Sequence, residues 1–588
     1  MLAAQRWVNA TYATVAGYTR TPEDGIPGWS TMYALTRALQ VELGITALSD
    51  TFGPGTLSAL TSRGGILPDD SNTNMVRIVQ SALICQGYYG GGVTGAFNDA
   101  CTAALAAMLT DIGLTHAPGA VAPKVVKAAL TMDVYALQPD GTAAVREVQR
   151  WLNARYLGRT NCFIGPCDGR HNRNLQKALY IAIQYETGLT DAQADGIFGN
   201  GSKAALAPHP VAEGDTGPFV RLFTAALLFN RVLLPDGQSY ASFTDTFDAP
   251  VAAAVRAFQA FNELPVTGAG DYTTWCQTLV SNGNADRPGT ALDCITTITD
   301  ARAQSLLAAG YRTVGRYLDE KSTSTLNKEI QPGELATIFR NGMRIYPISQ
   351  YTGGTAAYFT YAQGYDDALN AHRAAVNYGF NPDTVIYFAV DYDATQADIT
   401  ANIIPYFTGV AGALAANGRT YQHGVYGSRN VCAQLAQAAY TRNSFVAGMS
   451  YAWSGNMGFP LPANWAINQI QNAKVGSGDG YINIDKNVHR ASADPAAGSV
   501  NDPSATVDTV IATIGQLREL AVGYGGSRSP DLLVLEYLRW ATCTDEQWQP
   551  LLGTVAAGFV AAVTAAGVAT RRRFVDPESG LDLSVSRL

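Results

Sequence analysis

Thr384-Val385-Ile386-Tyr387-Phe388-Ala389-Val390-Asp391-Tyr392-Asp393 is an almost unbroken apolar and aromatic run that ends in two carboxylates. A continuous apolar run bounded by loop signals reads as a strand buried on both faces, as in a parallel sheet. In an extended backbone Asp391 and Asp393 point the same way, with Cα atoms roughly 6.5 Å apart. Two adjacent carboxylates at the C-terminal end of a buried strand cost folding free energy, so the pair is the first candidate for chemistry.

Around this run, residues 287–495 alternate short apolar stretches with helical ones. Strands are expected at 291–293, 313–317, 344–350, 384–391, 422–426, 445–449, 465–469 and 481–485, with helical segments between most of them. Eight strands in about 205 residues fit a small (β/α)8 TIM-type barrel. An open doubly wound sheet lacks support, because no Gly-x-Gly-x-x-Gly or phosphate loop is present. Functional groups of a barrel collect at the C-terminal ends of its strands. Those ends carry Asp293, Arg316, Tyr317, Gln350, Asp391, Asp393, Tyr426, Ser450 with Trp453, Gln469 and Asp485. Carboxylates supply acid and base and aromatics stack on sugar faces, which is what a glycosidase cleft requires. A divalent-metal reading rests on the Asp391/Asp393 spacing alone; the expected set has no metal and no cofactor.

The first 280 residues repeat themselves. Ala4-Gln5-Arg6-Trp7-Val8-Asn9-Ala10-Thr11-Tyr12 returns 144 residues later as Val148-Gln149-Arg150-Trp151-Leu152-Asn153-Ala154-Arg155-Tyr156, and the Phe52-Gly53 stretch returns as Phe198-Gly199. Each copy holds two smaller units, near 4–45, 75–114, 145–189 and 217–264, giving doublets over 1–139 and 140–284. In Phe-Gly-x-x-Thr/Ser-x-x-Ala-Leu, Gly supplies a turn, Thr56 or Ser202 is expected to cap a helix, and Ala-Leu begins its buried face. Trp7, Trp29, Tyr88, Tyr89, Trp151 and Tyr156 are candidate sugar-stacking residues.

Two resemblances follow. The Gln-x-x-Leu…Asp-Gly-x-Phe-Gly-x-x-Thr-x-x-Ala-Leu pattern, clearest at 50–60, 195–206 and Phe258-Gln259, is similar to the peptidoglycan-binding-domain-like three-helix module. Ala291-Leu292-Asp293, Gly315-Arg316-Tyr317, the 345–350 stretch, Asp391-Tyr392-Asp393, Gly424-Val425-Tyr426 and Asn483-Ile484-Asp485 resemble glycoside-hydrolase-like barrels related to family-25 lysozymes. The resemblance implies a peptidoglycan or related wall polysaccharide as partner and hydrolysis of a β-1,4 glycan bond. Asp293, Asp391 and Asp485 match the aspartates of the lysozyme cleft. Asp393 stands where those lysozymes carry Glu, the expected proton donor, and is one methylene shorter. On this reading Asp393 is the acid, Asp391 stabilises charge, Asp293 and Asp485 position substrate or water, and Arg316, Tyr317, Gln350, Tyr426, Trp453 and Gln469 bind sugar. A non-catalytic wall-binding protein that keeps the sugar cleft is the rival reading.

Composition bounds the rest. At about 150 residues per domain, 588 residues suggest three or four domains. The chain is 47% apolar and 15% charged, so it fills its cores, and a net charge of −8 without a basic cluster argues against nucleic acid. The six histidines are scattered and no zinc spacing occurs. Of eight cysteines, Cys162/Cys167 and Cys85/Cys101 are spaced either for local disulfides or as buried thiols. Residues 551–569 are uncharged and long enough to span a membrane, but their Ala, Gly, Val and Thr insert weakly, so a buried helix is expected. Residues 500–588 read as a small helical domain, with helices near 507–522, 531–541 and 546–573. No leader is visible at the amino terminus, so for an extracellular or wall-associated protein either one was removed or export uses another route, such as lysis, a phage tail or an injection apparatus.

Overall fold

The computed structural model describes all residues except 116–118, 321–323, 491, 494–495, 502–506, 543–554, 569–572, 576–581 and 585–588. His116, Cys543 and parts of the expected 546–573 helix lie outside the described residues. The chain divides into two compact units, Met1–Leu279 and Val280–Leu588.

The first unit is built from helix triplets. They are α1 (Leu2–Tyr12), α2 (Trp29–Glu42) and α3 (Pro54–Arg63); α4 (Thr73–Cys85), α5 (Asp99–Asp111) and α6 (Pro123–Ala129); α7 (Ala143–Tyr156), α8 (Arg173–Glu186) and α9 (Asn200–Leu206); α10 (Pro218–Phe229), α11 (Ala249–Phe261) and α12 (Tyr272–Leu279). The offset of 144 is a set of matched contacts. Tyr12 donates to Glu42 at 2.5 Å and Tyr156 to Glu186 at 2.8 Å, each joining the first helix of its triplet to the second.

A buried glutamine recurs as the device that closes the turns. Gln5, Gln40, Gln80, Gln149, Gln184 and Gln259 are all buried. Their Oε1 atoms accept a backbone N–H of the following turn: Gly25 at 2.7 Å, Gly95 at 3.0 Å, Gly169 at 2.8 Å, Gly196 at 2.9 Å and Gly268 at 2.9 Å, with Ser49 serving for Gln40 at 2.8 Å. Those five glycines have φ between 73° and 79°, the left-handed region that only glycine enters without strain. Nε2 then donates to a side chain of the same turn, to Asp24, Asp168 or Asp195 in three of the copies. A buried amide is thereby satisfied by exactly the backbone that the turn leaves unpaired.

This corrects the expected role of Thr56 and Ser202. The N-caps of α3 and α9 are Gly53 and Gly199, neither with a side-chain cap bond. Thr56 and Ser202 lie inside the helices, buried, and accept from Gln40 at 3.2 Å and Gln184 at 2.9 Å. Of the proposed stacking aromatics, Tyr89 and Tyr156 are core residues and Trp7, Tyr88 and Trp151 are half-buried. Trp29 is 50% exposed and stacks on the exposed Tyr33, ring centroids 5.6 Å apart. The matching positions in the third triplet are the exposed Arg173 and Lys177.

In the second unit, eight strands close into a barrel in sequence order. They are β1 (Ala291–Asp293), β2 (Thr313–Tyr317), β3 (Arg344–Ser349), β4 (Val385–Ala389), β5 (Gln422–Gly427), β6 (Ser444–Val446), β7 (Trp465–Val475) and β8 (Ile482–His489). Around them lie α13 (Asp300–Ala308), α14 (Glu334–Arg340), α15 (Tyr361–Asn377), α16 (Gln396–Asp398), α17 (Ile404–Ala416) and α18 (Arg429–Ala438).

The expected all-parallel (β/α)8 barrel needs correction. β1 to β7 pair in parallel, but β8 is antiparallel to both β7 and β1. The cause is connection length. A parallel crossover takes a dozen residues or more, whereas β7 continues to Val475 and only 476–481 separate it from β8. That link carries Gly476 and Gly478 at positive φ and can only turn back as a hairpin. Asp485 therefore lies near the start of its strand, yet reaches the same rim because the strand runs back.

Beyond the barrel, α19 (Val507–Tyr524), α20 (Pro530–Thr542) and α21 (Ala557–Ala565) share a small core of Leu517, Leu533, Tyr537, Leu538 and Phe559. The uncharged 551–569 stretch thus yields a nine-residue helix with Phe559 and Val563 buried. A two-stranded antiparallel ribbon joins Arg573–Val575 to Asp582–Ser584, so the expected final helix stops short of Arg573.

Replacing Gln184 by Leu keeps bulk and leaves the Gly196 N–H buried without an acceptor, which costs about 1–3 kcal/mol. Calorimetry is expected to show the transition of the amino-terminal unit lowered by about 2–4 °C per kcal/mol lost.

Candidate active site

The rim is organised where β1 meets β8. Asp293 is directly opposite Asp485 in the antiparallel register. Asp293 is 4% exposed, and Asp485 is half-buried. Gln469, from β7, spans the two: its Nε2 donates to Asp293 Oδ1 at 3.1 Å and to Asp485 Oδ2 at 3.2 Å. Its Oε1 accepts from the Tyr426 hydroxyl at 3.0 Å. Asn487 Nδ2 donates to Asp293 Oδ1 at 2.8 Å and to the Tyr346 hydroxyl at 2.9 Å, and the Tyr346 hydroxyl in turn donates to Leu292 O at 2.9 Å. Asn472 donates to Asp485. Beneath this layer the rings of Tyr346, Tyr387 and Phe445 meet edge to face at 5.7–6.0 Å and fill the barrel. The approach is so close that a Cβ on Gly315 would fall 2.4 Å from the Tyr346 ring.

Asp391 completes the group from the end of β4. It is exposed, its backbone N–H donates to Gly353 O at 3.0 Å, and its carboxylate accepts from Gln350 Nε2 at 3.1 Å. Burial first, then Asp485, pushes the Asp293 carboxyl up. Burial also raises Asp485, and Asp391 adds to both. The Tyr317 and Tyr426 hydroxyls are raised by burial and by the same carboxylates. Seven of the expected residues thus come together: Asp293, Asp391, Asp485, Tyr317, Gln350, Tyr426 and Gln469.

Two others, Arg316 and Asp393, are engaged elsewhere. Arg316 is fully buried and pairs with the buried Glu334, Nε to Oε1 at 2.7 Å, while its other donors go to the carbonyls of Cys294, Lys328 and Glu329. Residues of a strand alternate sides, so Arg316 faces away from the interior that Gly315 and Tyr317 share. It fastens the loop before α14 and is not a sugar contact. Asp393 has partners of its own: the strand ends at Ala389, and the chain beyond it is no longer extended. Asp393 Oδ1 accepts from Ser454 N and Oγ, both at 2.7 Å, and from Gly455 N at 3.4 Å. It ties the end of β4 to the β6–β7 connection, which also carries the half-buried Trp453.

Sequence reasoning missed Lys328, Asn472, Asn487 and Ser454. Lys328 is buried, donates to Gln350 O and stands 4.3 Å from the Tyr317 ring centroid. Burial lowers its pKa against the opposing pull of nearby acids that include Asp391. It sits in a loop and has no pattern to announce it. Asn487 was findable, being two residues after Asp485 and so on the same face of its strand. The seven described cysteines are free thiols.

An aspartate-lined rim on a closed barrel, on a chain whose other unit is a series of three-helix modules, defines a glycoside-hydrolase-like protein with wall-binding-like modules. Residues 2–112 and 138–279 match the model described as "FadG/YbfG, PGDB-like domain", a peptidoglycan-binding-like domain, and residues 304–489 match "Rv2525c-like, glycoside hydrolase-like domain". The chain belongs to the FadG/YbfG family. It is 43% identical over 570 residues to the uncharacterized protein FadG of Bacillus subtilis (strain 168), covering 94% of this chain and 97% of that one. It is 38% identical over 538 residues to the uncharacterized protein YbfG of the same organism, covering 88% and 72%. Among solved structures, it is similar to the Mycobacterium tuberculosis Tat-secreted protein Rv2525c in complex with L-tartrate, at 21% identity, 35% of this chain, 98% of that chain and a TM-score of 0.30. It is also similar to an uncharacterized B. stearothermophilus protein, at 19% identity, 34% and 96% coverage and a TM-score of 0.27.

The raised Asp293 has a consequence for stability. An unfolded aspartate releases its proton near pH 4, whereas the folded chain holds this one to higher pH. Stability therefore falls as pH rises from about 4 toward the raised folded value. Asp293→Asn keeps an acceptor for Asn487 and removes the titration. Its barrel is expected to melt about 2–4 °C above wild type at pH 8 for each ~1 kcal/mol recovered, with the difference vanishing near pH 4; calorimetry across that range measures it.

Proposed function

We propose that the barrel hydrolyses a glycan bond of peptidoglycan, as a muramidase does, and that the helical modules hold it on the wall. The observation that carries this reading is the desolvated Asp293–Asp485 pair, joined by Gln469 and overlooked by the exposed Asp391. Carboxyls whose environments differ in this way take different roles. The raised pair supplies the proton, and Asp391, reachable from solvent, stabilises the positive charge that develops on the reacting sugar. Tyr317, Tyr426 and Gln350 line the approach. Asp393 acts indirectly, by fixing the loop that carries Trp453. The match to a peptidoglycan-binding-like model over most of the first unit supports the substrate class. Such a substrate means work outside the cytoplasmic membrane.

A binding-only barrel is the second reading. It draws support from the near-complete burial of Asp293 and from the engagement of Asp393 by Ser454. The two readings separate on new reducing ends released from purified peptidoglycan. Wild type is expected to release them, faster below the raised values of the Asp293–Asp485 pair than above. Asp391→Asn is expected to lose about 10²–10³-fold, the scale of one transition-state electrostatic contact. Asp393→Asn is expected to lose about tenfold or less, as a misplaced loop does. Retention of wall without any reducing ends from wild type overturns hydrolysis in favour of binding.

A further inference from the structure

Between α7, α8 and the loop joining them lies a cavity of about 590 Å³, within the range of small-ligand sites. Leu152, Ile164, Leu175, Ala178 and Ile181 form its apolar lining. The repeat gives its key positions counterparts in the first triplet, at an offset of 144 as far as Tyr185 and of 146 in the turn that leads to Phe198. Cys162, Ile181 and Ala194 stand where the first copy has Tyr18, Arg37 and Leu48. Tyr18 packs on Tyr12 with centroids 5.9 Å apart and donates to Asn9 at 3.2 Å, and Arg37 pairs with Asp50 at 2.8 Å. In the third triplet the ring is a thiol, leucine is alanine, and Gly196 stands where the ion partner was. Helical interiors are close-packed, and although Leu152, Phe163 and Leu175 are larger than Val8, Thr19 and Thr31, the bulk lost at Cys162 and Ala194 leaves a space that the fold keeps open.

The mouth has a charge pattern of its own. Asp133, Asp191 and Asp195 line the cavity together with Lys177. Asp195 is held by Gln184 and Ile197 N and feels Lys177. Asp191 accepts from Thr160 at 2.6 Å and Tyr185 at 2.8 Å, with Arg159 and Lys124 near. Asp133 differs: burial raises its carboxyl, and Asp168, its charged neighbour, raises it further. A half-buried carboxylate at a cavity mouth with acid beside it is complementary to a cation.

We propose that this third-triplet cavity is a ligand site, vacated in one copy of the repeat and filled in the other, that takes a short peptide bearing a free side-chain ammonium. The ammonium meets Asp133, small apolar side chains lie on the lining, and the exposed Asn174 amide faces the peptide backbone. The proposal rests on the wall-hydrolase reading only for the source of such a peptide, the peptide stem of the polymer and not its glycan.

The test is calorimetric titration of the full chain with three probes: an acetyl-Ala-Ala-Lys-Ala peptide, the same peptide with its lysine acetylated, and chitotetraose. The lysine peptide is expected to bind, with the acetylated form about tenfold or more weaker through loss of one partly desolvated charge pair. Ala194→Leu and Cys162→Tyr, which restore the bulk of the first copy, are expected to abolish binding. Asp133→Asn, which keeps shape, is expected to erase the preference for free lysine. Leu48→Ala in the first triplet is expected to change nothing. No binding of the lysine peptide, equal binding by Ala194→Leu, or chitotetraose bound in an Ala194→Leu-sensitive way each overturns the proposal. Peptide binding without reducing-end release from wall removes the hydrolase reading and keeps this site; release without peptide binding does the reverse.

Discussion

Carboxylates taken out of water must be given partners, and the barrel is arranged around that requirement at the join of β1 and β8. Asp293 and Asp485 face each other there, and among the described residues neither forms an ion pair with a cation. The polar atoms that meet them are amides: Gln469 between the two, Asn487 beneath one, Asn472 beside the other. Amides satisfy hydrogen bonds without cancelling charge, so the site keeps its tendency to hold a proton. A lysine or arginine in the same place would have released it. The buried cation Arg316, on the strand paired with β1, is engaged instead by Glu334 and three carbonyls.

Much of the barrel could be read from sequence because buried strands are continuous apolar runs, and all eight were found near their observed places. The direction of β8 was not legible in its own composition. It was legible in the short link before it, which has room for no more than a single 3-10 turn and ends the parallel series. The same contrast divides the site. Asp293, Asp391 and Asp485 follow from strand ends. The true situation of Asp393 depends on Ser454, some sixty residues away in an irregular loop, and that of Arg316 on Glu334 across a connection. Local pattern places a residue at a rim, but only long-range contacts decide which way it faces.

The helical unit teaches the complement. Its period was visible as repeated residues, and its turns were visible as Asp-Gly and Phe-Gly. The part that escaped was the role of glutamine, because a buried glutamine looks in sequence like any polar residue on a helix. Thr56 and Ser202 were misassigned for the same reason: their hydroxyls answer a glutamine on the preceding helix and not the backbone of their own.

That glutamine closure makes each triplet answerable for its own geometry. The turn is satisfied from within the module, so neither a neighbouring copy nor a particular outer face is needed to hold it. Duplicated copies are then free to drift apart in everything except the clamp. Trp29 and Tyr33 in one copy against Arg173 and Lys177 in the next, and a filled interior against an emptied one, are divergence of that kind. A chain built this way can trial new surfaces one module at a time while the others go on folding as before.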